Sequence, residues 1–388
     1  MKKILVVVPD LDLGGVTTSV INFCNELTKR GNEIELLNMN YEQQTIWGLS
    51  DKVKIKKLEK KAKYWGLGRK QIRQEKKKIR KLLLYILGGI KRLTNKKQIW
   101  MKLVWNNIKF EKKYDIAIAF KQCSPCYYFV LKCIDAERKI GFIHGSLGKM
   151  GDISAWSRYF REFDYITCVS NAVRREFEKE YPKYREKFKT VYNMIDSKTI
   201  LKKSEKKNPF VLEKDICNII TVSRMEEFNK KVSRIPEICL YLKNNNIDRF
   251  HWYVVGDGPD LGKVIEYTKQ LGCEEFLTYC GALTNPYPLF SECDFSVLTS
   301  ESEAYGMVVM ESLILGKPVI ASRYPALQEI LNDGENGFIV EQSVEDLGEK
   351  VSKLITNQDN IRATMESNIK KTEYNNELAY SQIERLLI

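Results

Sequence analysis

The chain has 388 residues, 44% of them apolar and 11% aromatic, and 63 Lys and Arg against 50 Asp and Glu give a net charge of +13. That length exceeds one ordinary core and that composition excludes a disordered chain, so two packed domains are expected. No apolar run reaches the roughly 20 residues of a spanning helix; the longest candidate is 82–90, and the run near the start is too short for a signal peptide.

Ten cysteines without regular spacing suit a reducing compartment, in which Cys serves as a small core residue. Cys123-Ser124-Pro125-Cys126 lacks a second pair at zinc spacing, and the chain's two histidines are His144 and His251, so the pair reads as structural.

Residues 3–8 are apolar and β-branched, as in a buried parallel strand. Gly14 and Gly15 follow, then a helix through Val20, Phe23 and Leu27 that ends at Gly31. Glycines between a strand and a helix let a backbone approach a ligand phosphate. Asp10-Leu11-Asp12, placed directly after the strand, reads as a turn rather than a metal-binding pair.

Residues 52–113 hold 23 Lys or Arg against three acids, a local +20 that leaves −7 for the rest. The block reads as helices with apolar insertions, over 70–87 and around Trp100, Trp105 and Ile108. Basic residues interleaved with Trp and Leu suit a helix lying in an anionic lipid surface. Ordinary domain helices with solvated lysines are the plain alternative. No nucleic-acid motif accompanies the charge, so no nucleic-acid partner is expected.

Further strands are expected at 114–120 and 139–143, with His144 at the C-terminal end of the latter, where ligands of open α/β sheets collect. Runs at 165–171 and 190–196 close a first domain, 1–196. Residues 197–214 are polar, Lys-rich and interrupted by Pro209, as in a linker. A second domain, 215–371, opens with a strand ending at Arg224, and Lys230-Lys231-Val232 opens the next helix. A guanidinium and an ammonium converging on a cleft can neutralise a pyrophosphate. Gly256-Asp257-Gly258-Pro259 lacks the third glycine of a dinucleotide fingerprint and reads as a turn. Residues 372–388 are expected to form a helix that returns to the first domain.

The most informative stretch runs from Ser302 to Ile320. A buried strand precedes it, and Gly316 and Pro318 stop a helix expected from about Gly306 to Leu315. The first turn of that helix offers unpaired N–H groups and the positive end of its dipole, an anion site. Glu303 lies just before this turn and Glu311 about one and a half turns inside, bracketing a span near the length of a pyrophosphate. Carboxylates accept hydrogen bonds from sugar hydroxyls. A nucleotide-sugar fits, with hexose at Glu303, pyrophosphate at the helix start and ribose at Glu311.

Glu303-Ala304-Tyr305-Gly306, four further residues, then Glu311-Ser312 resembles the signature of the family-four retaining glycosyltransferases, which have the GT-B fold. The usual form is Glu-Gly-Phe-Gly, four variable residues, then Glu-Ala; here Ala304, Tyr305 and Ser312 are the departures. The segment from Val191 to Asp196 resembles the family's Val-x-Asn-Gly-Val-Asp, with Met194 in place of Gly.

The resemblance implies two Rossmann-like domains facing a cleft and retaining transfer of a hexosyl unit from a nucleotide-sugar, UDP rather than GDP. It implies catalytic roles for His144, Glu303, Arg224 and Lys230. It implies donor contacts from Gly14, Gly15, Gly281, Ala282, Leu283, Ala304, Tyr305, Gly306, Met307, Val308 and Glu311. Aligning Val232 and Arg234 makes Lys230 the match and puts Lys231 on the family's Gly, with one extra residue between Arg224 and Lys230.

No metal and no cofactor are expected, the nucleotide-sugar being a substrate. The expected acceptor is a saccharide or an undecaprenyl-type lipid-linked oligosaccharide, in capsule, exopolysaccharide or wall-polymer assembly. The expected location is the cytoplasm, peripherally on the inner face of the membrane through 52–113. A non-catalytic nucleotide-sugar-binding partner of a membrane complex and a nucleotide-sugar epimerase are the competing readings.

Overall fold

The computed structural model describes residues 1–11, 14–39, 48–57, 113–149 and 153–388. Two parallel sheets organise them. The first comprises β1 (Lys3–Val8), β2 (Glu33–Asn38), β3 (Lys54–Lys57), β4 (Tyr114–Ala119), β5 (Ala136–Ile143), β6 (Tyr165–Cys168) and β7 (Phe188–Thr190). The second comprises β8 (Cys217–Val222), β9 (Phe250–Val255), β10 (Leu277–Gly281), β11 (Phe295–Leu298), β12 (Val319–Ser322) and β13 (Gly337–Val340).

Their orders are β3-β2-β1-β4-β5-β6-β7 and β10-β9-β8-β11-β12-β13. The order reverses between β1 and β4, where Ile4 pairs with Ile116, and between β8 and β11, where Phe295 pairs with Ile219. The crevice at the carboxyl ends of such neighbours is where open α/β sheets bind ligands. Asp10, Gly14 and Lys121 follow the first pair; Arg224 and Glu303 follow the second.

The central strands read as continuous apolar runs because helices cover both faces. Val7, Phe129 and Phe160 belong to one layer of the first domain, and Val6, Phe23 and Phe142 to the other. The helix Glu377–Leu387 joins that second layer through Ala379, Ile383, Leu386 and Leu387, an i, i+4, i+7, i+8 stripe. Burying its three larger side chains contributes on the order of 1.5–3 kcal/mol each. The tail therefore packs on the first domain.

Four local expectations change. The linker opens as a helix, Ser197–Ser204, which packs on helices Tyr287–Glu292 and Met307–Ile314. Asp196 caps it by accepting the Thr199 N–H at 2.9 Å, a signal hidden in a lysine-rich stretch. Of the run at 190–196 only Thr190 lies in a strand, β7. Lys230 ends a short helix, Glu227–Lys230, and the next begins at Arg234. Within the basic block, residues 54–57 form edge strand β3 instead of helix; the helices expected over 70–87 and around Trp105 lie outside the described residues. Among the described residues, no helix is long and apolar enough to cross a membrane. All ten cysteines are unbridged.

Candidate active site between the domains

Residues from both domains enclose a cavity of about 150 Å³. His144, Gly145 and Ser146 line it from the first domain, and Asn229, Lys230, Ser302, Glu303 and Ala304 from the second. Glu303 is fixed by charge: Lys230 forms an ion pair with its Oε1, and the Ser300 hydroxyl donates to the same oxygen at 2.8 Å. Oε2 has no protein partner among the described residues and is available to a ligand hydroxyl.

Lys231, at the family's Gly position, turns away. It adopts a left-handed conformation at φ +48° and pairs with Glu301 at 3.1 Å. That turn separates the two ammonium groups, and Lys230 faces Glu303.

His144 follows β5. Its backbone N–H donates to Gln122 Oε1 at 2.9 Å, and its ring lies against Phe120 and Phe142 at centroid distances of 4.8 and 5.7 Å. Burial pushes the imidazole down to about 3, against a bond to the Phe120 backbone that favours the charged form. The ring is therefore neutral near pH 7. Among the described residues Nε2 is buried without a partner, so Nδ1 carries the proton toward the Phe120 carbonyl and Nε2 keeps an acceptor lone pair. Such a group can accept a hydrogen bond from a ligand hydroxyl.

The loop from Glu303 into helix Met307–Ile314 is shaped by Gly306, at φ +109°, where a Cβ would stand 2.3 Å from the Tyr324 hydroxyl. Ala304 packs against the first domain's core, and Tyr305 is buried beside Tyr192 at 5.5 Å. Gly15 faces Met307, whose Cγ lies 4.0 Å from where its Cβ would be. The glycine loop and the helix N-terminus thus meet across the gap, as an anion held between them requires.

Arg224, Gly14 and Gly15 line a second cavity of about 280 Å³, with Asp10, Thr17 and Lys121. Lys121 Nζ lies 3.1 Å from both Asp10 oxygens; Asp12 lies outside the described residues. Arg224 is exposed, with Nε 4.0 Å from Glu226. Its backbone is braced by the Gly-Asp-Gly-Pro turn: a Cβ on Gly256 or Gly258 would stand 1.7 Å from the Ser223 carbonyl or 2.3 Å from that of Met225. The turn is a close-packed support for Arg224, a role not evident from its sequence.

Glu311 lines neither cavity. It is 9% exposed, with the Tyr287 hydroxyl donating to Oε1 at 3.3 Å. Burial raises its carboxyl to about 7, opposed by that bond and by the charge of Lys203 on the linker helix. Gly281 ends β10 at φ +66°, and Leu283 packs with Val308 in one apolar cluster. The strand end, the helix start and Glu311 one turn later therefore line one side of the second domain. Asn193 does not reach a cavity; its Oδ1 accepts the Ser19 hydroxyl at 2.6 Å.

Sequence reasoning missed Ser300, Asn229, Lys121 and Thr17. Ser300 and Lys121 sit at strand C-termini, which could have marked them; Asn229 and Thr17 carry no such mark.

Two family models match, "Glycosyltransferase Family 4" over residues 13–199 and "Glycosyl transferases group 1" over 202–372. N-acetyl-alpha-D-glucosaminyl L-malate synthase from Bacillus anthracis is 26% identical over 226 residues, 56% of this chain and 58% of that protein. The lipopolysaccharide core biosynthesis glycosyltransferase LpsE of Rhizobium meliloti is 21% identical over 201 residues, 50% of this chain and 54% of that one. The chain thus spans little more than half the length of these relatives. A crystal structure of a Staphylococcus aureus TarM mutant with Fondaparinux, alpha-GlcNAc-glycerol and UDP superposes with a TM-score of 0.73 at 16% identity, covering 100% of both chains. With the two models spanning both domains and the fold matching throughout, the chain belongs to the family-four glycosyltransferases of GT-B fold.

Proposed function

We propose that the protein transfers a hexosyl unit from a nucleotide-sugar, UDP-linked rather than GDP-linked, to a saccharide or lipid-linked acceptor in cell-surface glycan synthesis, capsule or exopolysaccharide included, with retention at the anomeric carbon. One observation carries this reading: a neutral His144 and a charge-held Glu303 face a single sugar-sized cavity from opposite domains. Glu303 orients the donor sugar's hydroxyls, and His144 Nε2 accepts one near the reacting carbon. Gly281, Ala282 and Leu283 hold the base, and Glu311 accepts from the ribose. Arg224, Lys230 and the N–H groups of the helix at Met307 take up the charge of the departing diphosphate.

The proposed reaction uses no protein nucleophile. The acceptor oxygen attacks the anomeric carbon on the face the phosphate leaves, the sugar–phosphate bond breaks, and the leaving phosphate oxygen takes the acceptor's proton. The charge on the diphosphate is met by protein groups, so the proposal includes independence from a divalent metal and from any cofactor. It also includes peripheral binding to an anionic membrane surface through 52–113, on the cytoplasmic face.

The test is a panel of UDP- and GDP-sugars, screened first by thermal shift, since bound ligand raises stability by mass action. Hits are then assayed for diphosphate release with and without acceptor, in EDTA and in Mg²⁺. Acceptor-dependent release with an α-configured product from an α-linked donor supports the reading. Donor binding with no release at stoichiometric enzyme identifies a non-catalytic binder, and a changed sugar without acceptor identifies an epimerase. Flotation with phosphatidylserine vesicles, lost on deleting 58–112, tests the membrane component.

A further inference from the structure

A carboxylate of the second domain closes onto a helix of the first. Glu329 ends the short 3-10 turn Leu327–Glu329. Its Oε1 accepts the Ala172 N–H at 2.7 Å and its Oε2 the Asn171 N–H at 2.8 Å. These are the first two N–H groups of helix Asn171–Glu180, which have no partner within that helix. Ser170 caps the third, from Val173, at 3.1 Å. A negative charge here also meets the positive end of the helix dipole.

The same Oε2 accepts the Tyr192 hydroxyl at 2.9 Å. The Asn171 side-chain amide donates to that hydroxyl at 2.6 Å, and the Asn171 carbonyl oxygen accepts from Thr190 at 2.8 Å. Both carboxylate oxygens are thereby satisfied across the domain boundary. Ala172 packs with Leu298, Val309 and Ala326 of the second domain, so the contact sits beside a dry seam. Hydrogen bonds to a charged group in such a setting are the strong ones.

The network leads to the candidate site. The Tyr192 ring lies 5.5 Å from Tyr305, two residues after Glu303 in the loop that shapes the cavity. Burial and the bond to Glu329 keep the Tyr192 phenol protonated, pushing it up to about 12. His144 comes from one domain and Glu303 from the other, so their separation depends on how the domains are apposed.

We infer that Glu329 is a positioning residue, which clamps the second domain to the helix at Asn171 and, through Tyr192, holds the loop at Tyr305 so that Glu303 stands opposite His144. It touches neither sugar nor phosphate. The inference rests on the proposed transfer reaction for its kinetic readout alone.

The experiment compares the full-length wild type with Glu329→Gln, Glu329→Ala and Tyr192→Phe. Transfer is measured with whichever UDP-sugar the wild type accepts, and domain apposition by small-angle X-ray scattering with and without UDP. Glu329→Gln, which keeps size but cannot accept two N–H groups, should lower kcat on the order of tenfold or more, with a smaller change in donor KM. Tyr192→Phe should lower kcat severalfold, and both Glu329 variants should show a larger radius of gyration that UDP reduces. Wild-type kcat and an unchanged scattering curve in Glu329→Gln overturn the inference. So does a loss of activity that merely tracks a lowered Tm while Tyr192→Phe stays fully active. If the wild type transfers no sugar at all, the proposed function fails, while the scattering comparison still decides the clamp.

Discussion

Glu303 and Glu311 stand eight positions apart in one loop-and-helix segment and meet opposite surroundings. Glu303 sits at the domain gap, held by Lys230 and Ser300 and facing His144 across a cavity. Glu311 is folded into the second domain beneath Tyr287 and the linker helix, with burial raising its carboxyl to about 7. A carboxylate held by an ammonium is charged and aimed before a ligand arrives, as a group acting on a transition state must be. A carboxyl held by burial sits near its titration point, and becomes an anion when a donor such as a ribose hydroxyl or the nearby Lys203 supports it. On the proposed reading, the same side chain serves turnover at one position and binding at the other.

Replacing each residue tests that division, and the largest effect is expected at the gap. Glu303→Ala should lower kcat on the order of a hundredfold or more with donor KM nearly unchanged, since it removes an interaction realised at the reacting sugar. A proportionate rise in KM would place Glu303 with the binding groups and erase the contrast. Next comes the cation pair. Lys230→Ala and Arg224→Ala should each weaken donor or UDP binding by about tenfold or more, read by calorimetry. Lys231→Ala should leave binding unchanged, because that side chain is turned to Glu301.

A smaller, pH-dependent effect is expected inside the domain. Glu311 has a carboxyl raised from 4.5 to about 7 in the folded state. The folded protein holds more protons than the unfolded one over that range, so this residue's contribution to stability falls as pH rises from 4.5 through 7. Denaturant unfolding should show Glu311→Gln gaining on the wild type between pH 5 and pH 8, on the order of 1–3 kcal/mol. Its donor KM should rise severalfold at pH 8, where the wild-type carboxylate is charged. A constant stability difference across pH would remove the buried half of the comparison.

The smallest effect concerns the opposite wall. His144 is lowered from 6.5 to about 3, so the unfolded chain binds the extra proton first, and stability falls as pH drops through that window. His144→Asn should lose less stability than the wild type between pH 6.5 and pH 5.5, on the order of 1 kcal/mol. Near pH 7 the kcat profile should show no step from this residue.

Much of the site was legible because its parts lie at strand ends. His144 after β5, Arg224 after β8 and Glu303 after β11 each follow an apolar run, and Gly306 marks the helix start. The two glycines of the 256–259 turn looked ordinary, because their need for close contact with Ser223 and Met225 comes from a strand more than thirty positions away in the chain. The linker helix was obscured by its lysines, although Asp196 supplied the cap. The opposite directions of Lys230 and Lys231 come from the left-handed backbone of Lys231, which spacing does not record.

Sequence alone determined the two parallel sheets and the family to which the chain belongs, because each rests on a local period or a contiguous motif. Tertiary structure alone decided that Glu303 is charge-held while Glu311 is buried, and that Glu329 spans the domains to reach Asn171, Ala172 and Tyr192. The surroundings of an ionisable group are set by atoms from distant parts of the chain, and nothing in the spacing of residues records the field in which each will sit.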